Sequence, residues 1–133
     1  MTDSFVRPHR PIKIESSTLE TFRLSDMALQ LTTEDAYIKS GRTSLSLARG
    51  ADLTFALTVL RQGSSLKDHI APGPGIVVVL YGEIDFEANK AGKTTRLQAG
   101  QSVVFSAELA HSVLALKDSS FIIIIGGRAE SHD

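Results

Sequence analysis

Cysteine is absent from this chain, which excludes disulfide scaffolds, thiolate zinc centres and cysteine nucleophiles. Charge of one sign is also missing: 14 Lys+Arg stand against 15 Asp+Glu, a net charge of −1. No basic excess or basic stripe points to nucleic acid. Long apolar runs are absent too. The longest, Ile76–Tyr81, has six residues, against roughly 18–20 for a membrane-spanning helix. No membrane partner is expected. The first twenty residues hold no apolar stretch of signal-peptide length, so a cytoplasmic location is the expectation. Familiar catalytic phrases are missing as well. Gly73-Pro-Gly75 is followed by no Gly-Lys-Ser/Thr, so it is not a phosphate loop. There is no G-x-S-x-G nucleophile elbow. Glu83 and Asp85 have no partner spacing that argues for glycoside hydrolysis.

What is present fits one domain of 133 residues, 42% hydrophobic and 22% charged. Residues 1–41 read as an N-terminal arm and helix, 42–127 as a β-barrel and 128–133 as a tail. Pro8 and Pro11 disfavour a helix near the start, and such an arm suits crossing to a partner subunit. Leu24, Met27, Ala28 and Leu31 fall on one helical face. Ser25 or Asp26 is expected to cap that helix, and Gly41 marks its latest end. The period then changes. Thr43–Ala48, Thr54–Leu60, Leu66–Ile70, Ile76–Tyr81, Glu83–Ala88, Thr94–Leu97, Ser102–Phe105, Ala110–Leu116 and Phe121–Ile125 read as short strands. Ile76–Tyr81 is apolar on both faces and is expected to be central and covered on both sides. Ile84 and Phe86 should face the core, leaving Glu83, Asp85 and Glu87 on a solvated face. Breaks at this spacing are those of an all-β sandwich or barrel.

Several residues give the pattern a likeness. Gly63 is followed by five residues and then His69; Gly82 closes that phrase; Gly100 opens a second one, in which His111 stands. Gly82 and Gly100 sit at strand ends, where tight turns ask for positive φ. The stretch from about residue 50 to 125 resembles the cupin family, whose motifs are G-x5-H-x-H-x3,4-E-x6-G and G-x5-P-x-G-x2-H-x3-N. The resemblance implies an all-β, double-stranded β-helix (jelly-roll) barrel, with the one N-terminal helix outside the sheets. It departs from the family where ligands are concerned. The second histidine of the first motif is Ala71 and its glutamate is Gly75; in the second motif Ser106, Glu108 and Ala115 replace Pro, Gly and Asn. Of the family's metal ligands only His69 and His111 remain.

Two imidazoles alone should bind a divalent ion weakly, because catalytic sites take about three protein ligands. One divalent metal (zinc, iron, manganese or nickel) on His69 and His111 therefore asks for a recruited third donor. Glu108, three residues before His111, is the first candidate. Asp68 is a poorer one, since a neighbour of His69 on a strand points to the other face. Tyr81 is a further candidate for the pocket lining.

The expected function is a cupin-like protein holding a small molecule in the barrel mouth, with His69, His111, Glu108 and Tyr81 around it. The alternative is a cupin enzyme of dioxygenase, isomerase or decarboxylase type, with His69 and His111 as acid and base or as metal ligands. An inert accessory role is the third. A homodimer is expected, because cupins resemble one another in pairing through their sheets.

Overall fold

The helical face recognised in the sequence becomes α1, Leu24–Leu31, with Ala28 and Leu31 buried. In this computed structural model residues 11–88 and 91–127 are described, without the side chain of Asp68. Residues 1–10 of the arm and 128–133 of the tail thus lie outside the described residues. The N-cap of α1 is Arg23, with no side-chain capping bond. Ser25 and Asp26 fall inside the first turn, where Asp26 still suits the positive end of the helix dipole. The helix also stops sooner than expected. The Thr32 and Thr33 hydroxyls donate back to the carbonyls of Leu29 and Gln30 at 2.6 and 2.7 Å, a local bonding that competes with helix continuation. A second helix, α2, Asp35–Ser40, follows and closes on Gly41 at φ 79°.

Among the described residues ten strands make two sheets. One has six strands in the order β1 (Ile12–Lys13), β2 (Arg42–Arg49), β3 (Leu53–Leu60), β10 (Ser119–Gly126), β5 (Gly75–Tyr81) and β8 (Ser102–Phe105). The other has four: β4 (Ser65–His69), β9 (His111–Ala115), β6 (Glu83–Ala88) and β7 (Lys93–Gln98). The expected strands all appear, with ends within one or two residues. The exception is β1, which pairs parallel to β2 from within the supposed arm. Gly82 and Gly100 take φ of 88° and 87°, as their turns require.

The inner faces of the two sheets meet in one core. Leu60, Val77, Val79 and Phe121 of the six-stranded sheet pack with Ile84, Phe86, Leu97 and Val113 of the other. Buried side chains from both sheets occupy the interior, as in small barrels. A second cluster lies outside the six-stranded sheet, where Ala28 and Leu31 of α1 cover Leu45, Leu47, Leu57 and Val59. The helices therefore sit outside the sheets.

Two expectations about strand faces need correction. Asp85 is not solvated: it is 8% exposed. Across the β6–β7 ladder Arg96 lies opposite it and donates to both of its oxygens, at 2.9 and 3.2 Å. β5 is central, between β10 and β8, but its outer face is covered only in part. Leu80 packs against the helix layer, while Ile76 is 38% exposed. No helix among the described residues is long and apolar enough to cross a membrane.

Candidate functional site at the histidine end of the barrel

His69 ends β4 and His111 begins β9, and the two are direct cross-strand partners. Simple alternation does not give this. Leu66 pairs with Val113, and with period-two geometry position 68 would come opposite position 111. The ladder shifts register between Leu66 and His69, so one extra residue of β4 is absorbed in a bulge. The bulge changes the parity of the strand and brings His69 to the face of His111.

The two ring centroids are 4.1 Å apart, with the planes at 64°. Each Nδ1 lies 2.9 Å from a backbone carbonyl two residues upstream, Lys67 O for His69 and Leu109 O for His111. A carbonyl only accepts, so each Nδ1 carries the proton and donates. In the neutral ring the lone pair is then on Nε2. Both imidazoles are thus oriented by their own backbone, with Nε2 as the acceptor atom.

Burial separates the two. His111 is 3% exposed, stacked on Phe86 at 5.0 Å and 17° and packed against Phe105 at 4.6 Å. His69 is exposed. The pair therefore runs from the edge of the core to solvent. Phe86 and Phe105 pack against the inner ring; the sequence shows the first only as a core-facing residue and the second only as a strand end. Finding them needed the pairing of β6 with β9 and of β5 with β8, which no local signal carries.

The other expected site residues are not brought to the pair. Tyr81 is 67% exposed and pairs with Ser120 at the far end of β5, whereas Gly75 pairs with Phe105 at the histidine end. Six residue steps of strand separate the two ends, about 20 Å. Glu108 lies in the loop next to the site, at φ 65°, with its N–H donated to Ala71 O at 3.1 Å. Its side chain is exposed. Among the described residues no group of three or more His, Asp or Glu stands together as a metal-binding cluster.

The donor set does not fit the metal centre that the family implies. Among the described residues two imidazoles are present where about three protein ligands are needed. Gly75, at the glutamate position, has the Phe105 ring against its Cα, and a Cβ built there would collide with that ring. No side chain fits at position 75 while Phe105 keeps its place.

No family model matches the chain, and no curated protein matches it. Solved structures do. A cupin superfamily protein from Desulfitobacterium hafniense superposes with a TM-score of 0.61 at 16% identity, over 65% of this chain and 77% of that one. A cupin 2 conserved barrel domain protein from Leptotrichia buccalis gives 0.59 at 28% identity, over 64% of this chain and 40% of that one. An RmlC-like cupin with a double-stranded β-helix fold from Methanocaldococcus jannaschii gives 0.61 at 11% identity, over 68% and 84%. The two-sheet barrel, its strand order and these likenesses agree: the chain has the double-stranded β-helix fold of the cupin structures it resembles.

Proposed function

We propose that the protein binds a small molecule at the histidine end of the barrel, with its polar group taken by His69 and His111 and no resident metal. The observation that carries this reading is the pair of pre-oriented rings, 4.1 Å apart with both Nδ1 atoms pinned. Holding two rings in fixed tautomers lowers the ordering cost of binding. An imidazole pair at the mouth suits a ligand carrying hydroxyl groups, with His69 as the exposed ring that meets it. The filled core below leaves the ligand at the mouth rather than inside.

The enzyme reading keeps one supporting observation. One imidazole is exposed and its partner is buried, an arrangement that suits passing a proton between solvent and a bound substrate. In that reading His69 exchanges the proton with water and His111 faces the reacting atom.

The test is to titrate ring-labelled histidine protein with catechol, glucuronate and zinc, following the His69 and His111 resonances by NMR. Saturable shifts with catechol or glucuronate, lost in His69→Ala, are expected. Zinc should give only weak, non-stoichiometric binding. If neither organic probe moves the ring resonances at millimolar concentration, or if His69→Ala binds them equally well, the reading fails.

A homodimer belongs to the same proposal. Val104 of the edge strand β8 lies directly opposite Ile76 of β5, and Ile76 opposite Ile124 of β10. Val104 is 72% exposed. This apolar row supports packing against a second copy.

A further inference from the structure

The layer between the helices and the six-stranded sheet does not close completely. A cavity of about 690 Å³ remains, with Ala28 and Leu29 of α1 and Tyr37 of α2 on one side and Val59, Leu80 and Ser120 on the other. That volume is within the range of small-molecule sites, about 300–1,000 Å³. Ser120 and Leu80 place it near the Tyr81 end of β5, and outside the barrel, so it is separate from the histidine pair.

Ser120 is the informative residue. Along β10 the outward positions are Ser120, Ile122 and Ile124, while Phe121 points into the barrel core. Serine thus stands in an apolar row, and it is only 7% exposed. Among the described residues no hydrogen bond reaches its hydroxyl. Its neighbour Ser119 is fully used, bonding to Glu83 N, Glu83 O and Lys117 O. A buried hydroxyl with no partner gives up its water and gets nothing back. It persists where something else supplies the partner.

The remaining walls define what that partner is. Leu29, Val59 and Leu80 offer apolar surface. The charged residue in the lining is Asp118, whose Oδ1 accepts from Gln62 N at 2.8 Å. The Tyr37 phenol is held above its ordinary pKa by burial and then by Asp118, so it stays a neutral hydroxyl on the same wall. An anion would meet the carboxylate, while the nearby guanidinium of Arg61 is engaged over the Tyr37 ring at 5.5 Å and bonded to the Tyr37 and Ile38 carbonyls.

We propose that this cavity is a second small-molecule site, taking a neutral, largely apolar alcohol or phenol whose hydroxyl bonds to Ser120. The apolar body lies over Leu29, Val59 and Leu80. The bound hydroxyl completes the hydrogen bonding of the β10 bulge that starts at Ser120.

The experiment uses the full chain with 4-ethylphenol, ethylbenzene and 4-ethylbenzoate as probes, read by assigned amide NMR shifts. Saturable shifts at Ala28, Val59 and Ser120 are expected with 4-ethylphenol and not with 4-ethylbenzoate. Ser120→Ala should weaken 4-ethylphenol by about three- to tenfold, the worth of one hydrogen bond, and leave ethylbenzene unchanged. The change removes one exposed-to-cavity oxygen and no packing atom, so the variant folds. The proposal is overturned if 4-ethylphenol gives no saturable shift at these amides, if 4-ethylbenzoate binds as tightly, or if Ser120→Ala binds 4-ethylphenol as the parent does. It is equally overturned if the cavity amides shift only with protein concentration, which would make a second copy the occupant.

Discussion

At the scale of single residues, Gly75 and Phe105 decide what the mouth of this barrel holds. They face each other across the β5–β8 ladder, and the ring occupies the space a side chain at position 75 would need. The same ring packs on His111 at 4.6 Å and on Phe86 at 5.3 Å. An aromatic cluster thus stands where the family resemblance puts a carboxylate ligand. Adding one methyl group at position 75 should cost about 1–3 kcal/mol, the usual penalty of overpacking. In a Phe105→Leu background the nearest obstacle is gone and only the end of the flexible Ile125 side chain stays close, so the cost should fall. Urea unfolding of Gly75→Ala, Phe105→Leu and the double variant measures the coupling. Strictly additive costs would mean that Phe105 does not fill the position-75 space.

At the scale of elements, the bulge in β4 makes the histidine pair. Lys67 and Asp68 together stand against Ser112, and His69 then returns to the ladder opposite His111. Deleting Asp68 should regularise the ladder and keep His69 opposite His111, because Leu66, Lys67 and His69 would then alternate without a break. Moving the imidazole instead, with Asp68→His and His69→Ala, should separate the rings. Ring-to-ring NOEs check both: contact kept in the deletion and lost in the relocation. Loss of the contact in the deletion variant would refute the bulge argument. This element also marks how far the sequence is legible. Strand existence follows from local alternation and from breaks such as Gly82 and Gly100, so nine strands were readable. Parity across a bulge belongs to two paired strands and is invisible in either alone. Asp85 was misread for the same reason, since its burial depends on Arg96 from the next strand. Tyr81 was misplaced because it adjoins the closing glycine, Gly82, which lies beside Gln62 and Asp118 at the end of the barrel away from His69. The α1–α2 break escaped because it depends on two threonine hydroxyls turning back on the helix.

At the scale of the whole molecule, the two apolar clusters share the six-stranded sheet as a wall, the barrel core on one face and the helix layer on the other. The helices cover that outer face unevenly. They lie over Leu57, Val59 and Ile122, toward one end, and leave Val104 and Ile76 at 72% and 38% exposure toward the other. Single exposed apolar residues are ordinary on a protein surface. A directly paired row that continues into the covered cluster is less so, and it lies beside the open edge of β8, where unpaired backbone groups invite a neighbour. Packing two such faces about a two-fold axis would cover both rows at once, the isologous arrangement most homodimers use. Light scattering after size exclusion should therefore give twice the 14.3 kDa chain mass. Val104→Asp should shift the protein toward monomer without changing its far-UV circular dichroism, because this side chain supports nothing inside the fold. A parent protein that elutes as a single 14.3 kDa species across the micromolar range would refute the homodimer. A Val104→Asp variant that stays fully dimeric would leave the dimer standing but move its interface away from the β5–β8 face.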